Sequence, residues 1–124
     1  MQASVRDPET YQIIGAAMDV HRTLGRGFLE SIYRAALKLE LERRSVPTAM
    51  EVPFRVHYKG DILPVLFRAG LVCFNRVIVE VKASVVLGKA DVAQTINYLR
   101  VSSLQKALLL NFGLGSLQYQ RVVL

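Results

Sequence analysis

Glu80 and Lys82 stand two residues apart inside the apolar run Val77-Ile78-Val79-Glu80-Val81-Lys82-Ala83. The aliphatic residues of that run predict a strand buried on both faces. Alternate residues of a strand project to one side, so the carboxylate and the ammonium share a face. Burying either charge without a partner costs on the order of several kcal/mol. A hard divalent cation offsets that cost. The carboxylate ligates Mg²⁺ or Mn²⁺, and the ammonium orients a water or stabilises negative charge developing on a phosphate. A structural ion pair is the plainer arrangement.

One strand cannot hold a metal alone, so further carboxylates must arrive from other elements. Among the ten acidic residues, Glu30 has the placement that asks for a task. It follows the glycine break Leu24-Gly25-Arg26-Gly27 and shares a helix face with Tyr33 and Leu37, a face read as directed inward. Glu40, Glu42 and Asp19 read as solvated or ion-paired helix positions.

The elements that position these groups follow from capping and periodicity. Asp7-Pro8-Glu9 is a helix start: a capping carboxylate, proline at the first helical position, and an acid near the positive end of the dipole. Ile13, Ile14, Ala17, Met18, Val20, His21 and Leu24 recur at helical spacing until Gly25. A second helix is predicted from about Phe28 to Arg44, with Leu29, Ile32, Tyr33, Ala36, Leu37 and Leu41 as its apolar stripe. Beyond Pro47 the period becomes two, with Val52, Phe54, Val56 and Tyr58 alternating up to a Lys59-Gly60-Asp61 turn. Pro53 and Pro64 place these strands near a sheet edge or at bulges. A third helix spans roughly Lys89 to Ser102, followed by the strands in KALLLNF and LQYQRVV. The crossover between VIVEVKA and KALLLNF makes part of the sheet parallel and right-handed.

The chain has 124 residues, 52% of them hydrophobic and 21% charged, with a formal net charge of +6. That suits one domain over 1–124, and the basic excess favours a polyanionic partner such as nucleic acid. The single cysteine, Cys73, excludes an internal disulfide and a multi-cysteine zinc site, and reads as a buried small residue. His21 and His57 read as packing or surface residues. The N-terminal MQASVRDPET lacks the apolar core of a secretory signal, and no apolar run reaches the ~20 residues of a membrane span. A cytoplasmic domain without membrane attachment is the expectation.

The segment Gly27-Phe28-Leu29-Glu30-Ser31-Ile32-Tyr33 resembles the signature of the GxxExxY proteins, small domains of the PD-(D/E)xK nuclease-like superfamily. IIGAAMDVHRTLGRGFLESIYRAALKLEL, VIVEVKA, AQTINYL and LLLNFG resemble further blocks of that family in the same order. The resemblance implies an α/β, single-domain, restriction-endonuclease-like fold with a mixed central sheet flanked by helices. It implies that Glu30 and Glu80, with the Val81 carbonyl, hold Mg²⁺ or Mn²⁺. Lys82 and Gln94 would join Glu30 and Glu80 in the catalytic group, and Tyr33 and Tyr98 would line the pocket. It also implies an aspartate on the preceding strand in an Arg-Ala-Asp context, where this chain has Arg68-Ala69-Gly70. Asp61, nine residues away in a turn, is a poor substitute.

Two functions follow. Glycine at position 70 favours a nuclease-like domain with a degenerate, weakly metal-binding site that engages nucleic acid or a protein partner without efficient turnover. The alternative is an active Mg²⁺- or Mn²⁺-dependent phosphodiesterase acting on DNA or RNA through Glu30, Glu80 and Lys82. Arg22, Arg26, Arg34, Arg43 and Arg44 would offer phosphates a basic face or form a solvated surface. Edge pairing of the apolar C-terminal strands would give a homodimer.

Overall fold

The structure, a computed structural model, describes residues 7–124. The reading of the extreme N-terminus as free of a secretory signal therefore falls largely on residues outside that range. The order is α1 (Pro8–Leu24), α2 (Glu30–Arg43), β1 (Thr48–Tyr58), β2 (Asp61–Cys73), β3 (Val77–Lys82), α3 (Lys89–Ser102), β4 (Lys106–Asn111) and β5 (Gln118–Val123). The five strands form one sheet in sequence order. All neighbours are antiparallel except β3 and β4, which the α3 crossover makes parallel. The expected α/β architecture is the observed one.

Local chemistry accounts for the element ends. Asp7 caps α1 by accepting from the amides of Glu9 and Thr10, and Gly25 closes it at a positive φ of 71°. The second helix starts later than the apolar stripe suggests, at Glu30, with Leu29 as its cap residue. Leu29 and Ile32 of that stripe are exposed, whereas Tyr33, Leu37 and Leu41 are buried. The β1–β2 turn is Lys59-Gly60, both at positive φ, and Asp61 is already the first strand residue, opposite Tyr58. Such left-handed pairs match the strand twist of tight hairpins.

Two cores sandwich the sheet. Ile13, Ala17, Tyr33 and Leu37 from α1 and α2 pack on Val79, Val81, Leu108 and Leu110. On the opposite face Leu99 of α3 packs on Ile78, Ala107 and Leu109. Val77, Ile78, Val79 and Val81 are all buried, as the run of aliphatic residues requires. His21 is buried too, with Nε2 2.8 Å from the Leu114 carbonyl and its ring stacked on Phe112. Cys73 is buried, which pushes its thiol up to about 11. Neither residue offers a nucleophile or a base to solvent. No helix among the described residues is long and apolar enough to cross a membrane.

The sheet forks at its centre. Strand β2 pairs with β3 only from Leu71 to Cys73, opposite Val79 to Val77. The rest of β2 peels away with β1 as a hairpin arm. Leu71 and Cys73 face α1 and α2, yet Phe67 and Ala69, in the same alternation, pack with the α3 core. The face switches at Gly70 and at Glu51, which lies across from it between the pairs Met50–Leu71 and Val52–Ala69. Glu51 has a φ of 55°, a left-handed residue of the kind that bulges use to bend a strand. A second irregularity, between Arg55 and His57, lies opposite the stretch holding Pro64. Both prolines therefore sit where β1 is an edge and β2 has only one neighbour.

Candidate active site at the sheet fork

Glu80 is the next residue after Val79, the last of β3 paired to β2, and so stands opposite Gly70 at the mouth of the fork. It is partly buried, and its Oε2 is enclosed with no hydrogen-bond partner among the described residues. Burial raises its carboxyl to about 7; the Lys82 charge, the Gly70 amide and the Arg34 charge oppose the rise, and the Glu30 charge adds to it. The charges of Glu30 and Arg34 at the start of α2 and of Lys82 on β3 thus all act on Glu80.

Lys82 shares the face of Glu80, but no ion pair closes between them. Its Nζ instead donates to Gln94 Oε1 at 3.5 Å. Tyr98, one turn along α3 from Gln94, stacks on Phe67 at 3.9 Å between centroids. Burial raises the Tyr98 hydroxyl's pKa, and the nearby Glu80 charge raises it further. The structure thus brings Glu80, Lys82, Gln94 and Tyr98 together between β3 and α3, with Gly70 on the opposite wall. Val81 is buried, with its side chain in the core under α1 and α2.

Glu30 and Tyr33 need correction. Glu30 is exposed, not inward-facing, and makes no hydrogen bond or ion pair among the described residues. It does not pair with Arg34 one turn on; Arg34 turns to Glu51, with Nη1 3.9 Å from Oε2. Tyr33 is wholly buried and stacks on Phe112 at 4.6 Å. Its hydroxyl donates to the Gly25 carbonyl at 2.5 Å and accepts from the Phe28 amide at 3.2 Å. Tyr33 therefore lines no open surface. It latches the glycine loop, in which Gly27 has a φ of 112°, and so sets where α2 and Glu30 begin.

Sequence reasoning missed Glu51 and read Arg34 only as a partner of Glu30 or as part of a basic face. Arg34 lies against Gly70: a Cβ at residue 70 would stand 3.5 Å from its Cδ and 3.6 Å from its Nε. Of the other arginines read as a basic face, Arg44 is tied to Asp19 and Glu40, and Arg22 to Asp19. Arg26 and Arg43 make no ion pair among the described residues. The signal for Arg34 was its place one turn after Glu30.

A resident Mg²⁺ or Mn²⁺ fits these residues poorly. The buried, unpartnered Glu80 oxygen suits a cation, but no three His, Cys, Asp or Glu side chains among the described residues converge to hold one. Such ions need several hard oxygens at once, and position 70 supplies no side chain. What the cluster offers by itself is a carboxyl that titrates near neutrality beside an ammonium, an amide and a phenol.

A family model, the PD-(D/E)XK nuclease superfamily, matches residues 7–122. The chain belongs to the PD-(D/E)XK nuclease superfamily. The triplet Glu80-Val81-Lys82 matches the letters (D/E)XK in the superfamily's name. The fold is also similar to the crystal structure of SSO0001, with a TM-score of 0.62 at 17% identity, covering 75% of this chain and 48% of that one. The chain thus spans about half the length of that structural relative, and the likeness is one of fold. No curated protein matches.

Proposed function

We propose that this member of the superfamily is a GxxExxY-type nuclease-like domain that binds nucleic acid without efficient turnover. The observation that carries the reading is Gly70 opposite Glu80, with an arginine laid over it where a third carboxylate would complete a metal site. Gly27, Glu30 and Tyr33 support the finer family placement. The glycine takes a left-handed turn, the tyrosine latches it, and the glutamate opens α2 beside the fork. The net charge of +6 supports an anionic partner. So does the hairpin arm, whose exposed face carries Arg68 opposite Pro53 and Arg55 opposite Leu66, leading away from Gly70.

The test is fluorescence anisotropy with single- and double-stranded DNA and RNA, in EDTA and in Mn²⁺, beside a cleavage assay on the same samples. Binding is expected in EDTA, weakening roughly a hundredfold between 50 and 200 mM salt for about four phosphate contacts. Cleavage is expected to be absent. No binding to any oligonucleotide turns the reading towards a protein partner. A second reading, cleavage dependent on Mg²⁺ or Mn²⁺ with Glu30, Glu80, Lys82 and Gln94 as its residues, is favoured by the unpartnered Glu80 oxygen. Metal-dependent cleavage that is lost in Lys82→Ala would establish it in place of the first.

A further inference from the structure

Glu51 and Glu80 reach the fork from different strands, and one side chain answers to both. Arg34 Nη1 is 3.9 Å from Glu51 Oε2, and its charge acts on the Glu80 carboxyl. Its stem runs past Gly70 at ordinary van der Waals distance from where a Cβ would be. A side chain reaching beyond Cβ at residue 70 would meet this stem directly. Resting on the proposed degenerate site, we infer that Arg34 is the resident cation of the fork, doing with a guanidinium what a divalent ion does in a complete metal site.

The two cations make different demands. Mg²⁺ or Mn²⁺ requires hard oxygens drawn close in near-octahedral geometry. A guanidinium is planar, always charged and carries five donors, so it neutralises carboxylates on separate strands at looser distances. Arg34 is only one-quarter exposed, so bulk water screens it partially. A positive charge held there opposes entry of another. It also alters what an aspartate at residue 70 would do. With Arg34 Nε 3.6 Å from the Cβ position, the new carboxylate would meet the guanidinium first and form an ion pair with it. Restoring the carboxylate alone therefore does not restore metal binding; the charge at 34 must go as well.

The experiment is a double-mutant cycle read by Mn²⁺ binding, with calorimetry and water-proton relaxation, on the whole chain. The proteins are the natural one, Gly70→Asp, Arg34→Met, and both changes together. Mn²⁺ should bind the double variant about tenfold or more tighter than Gly70→Asp alone, as expected for removing a unit positive charge a few Å away. In Gly70→Asp, guanidinium rotation of Arg34, followed by ¹⁵N NMR at Nε, should slow relative to the natural protein. Equal Mn²⁺ affinity with and without Arg34, or no binding by the double variant, overturns the inference. So does unchanged Arg34 rotation in Gly70→Asp. That single variant places its Cβ in ordinary contact only, so the NMR test stands even if Arg34→Met fails to fold; Arg34→Gln then replaces it in the cycle. Mn²⁺-dependent cleavage by the natural protein would instead overturn the proposed function, leaving the effect of Arg34 on affinity as a separate measurement.

Discussion

Glu80 and Lys82 share one strand face without forming an ion pair, and Lys82 reaches Gln94 on α3 instead. The carboxylate is left with an enclosed, unpartnered oxygen and the ammonium with a neutral hydrogen-bond acceptor. The Lys82 charge offsets only part of the cost of burying Glu80, whose carboxyl stays raised to about 7.

Stability should fall as pH rises through the range in which Glu80 loses its proton. Its carboxyl moves from an ordinary 4.5 to about 7 on folding, chiefly by burial. Between those values the folded state binds the extra proton, so rising pH favours unfolding. The loss is on the order of 2–3 kcal/mol. Urea denaturation at pH 5 and pH 8, with chelator present, should show it for the natural protein. Glu80→Gln should flatten the difference; an equal pH dependence in that variant would discount the burial of this carboxyl.

The Tyr33 latch should be separable from Tyr33 packing. Tyr33→Phe keeps the ring on Phe112 but strips the partner from the Gly25 carbonyl and the Phe28 amide. A cost of about 1–3 kcal/mol is expected, seen as a lowered denaturation midpoint. Hydrogen exchange should rise selectively in the loop before Glu30, and an unchanged loop would contradict the latch.

Lys106 joins α1 to β4. Its Nζ lies 3.0 Å from Asp7 Oδ2 and 2.7 Å from Glu9 Oε1. Burial alone would raise both carboxyls, but hydrogen bonds and charge, chiefly from Lys106, hold them below their ordinary 3.8 and 4.5. Their contribution is complete above those values and is lost as pH falls through the lowered ones. Lys106→Met should cost about 1–3 kcal/mol at pH 7 and markedly less at pH 2, measured by denaturant titration at both.

Gly113 should tolerate no side chain. A Cβ there would overlap the Ser84 backbone, which Asn111 grips through both its amide oxygen and its amide nitrogen. Gly113→Ala should destabilise by about 1–3 kcal/mol and loosen the segment that follows Lys82. A thermal midpoint equal to the natural protein's would show that this segment moves aside freely.

The sequence by itself determined the order and type of every element, the Asp7 cap, the crossover that makes β3 and β4 parallel, and the shared face of Glu80 and Lys82. These depend on near neighbours: a cap and its amides, a period of two or 3.6, a proline at a helix start. It also exposed glycine at position 70, because one residue in a short motif is legible without a fold. Only the tertiary structure decided what stands beside that glycine. Arg34, Glu51, Gly70 and Glu80 come from α2, β1, β2 and β3, and periodicity does not say which carboxylate a long arginine will choose. Glu30 lay one turn from Arg34, yet Arg34 turns to Glu51, at the left-handed kink of β1, with its stem lying against the bare backbone of Gly70. The same holds for Tyr33, whose helical spacing predicted burial but whose hydroxyl found its partners only when the loop folded back over it.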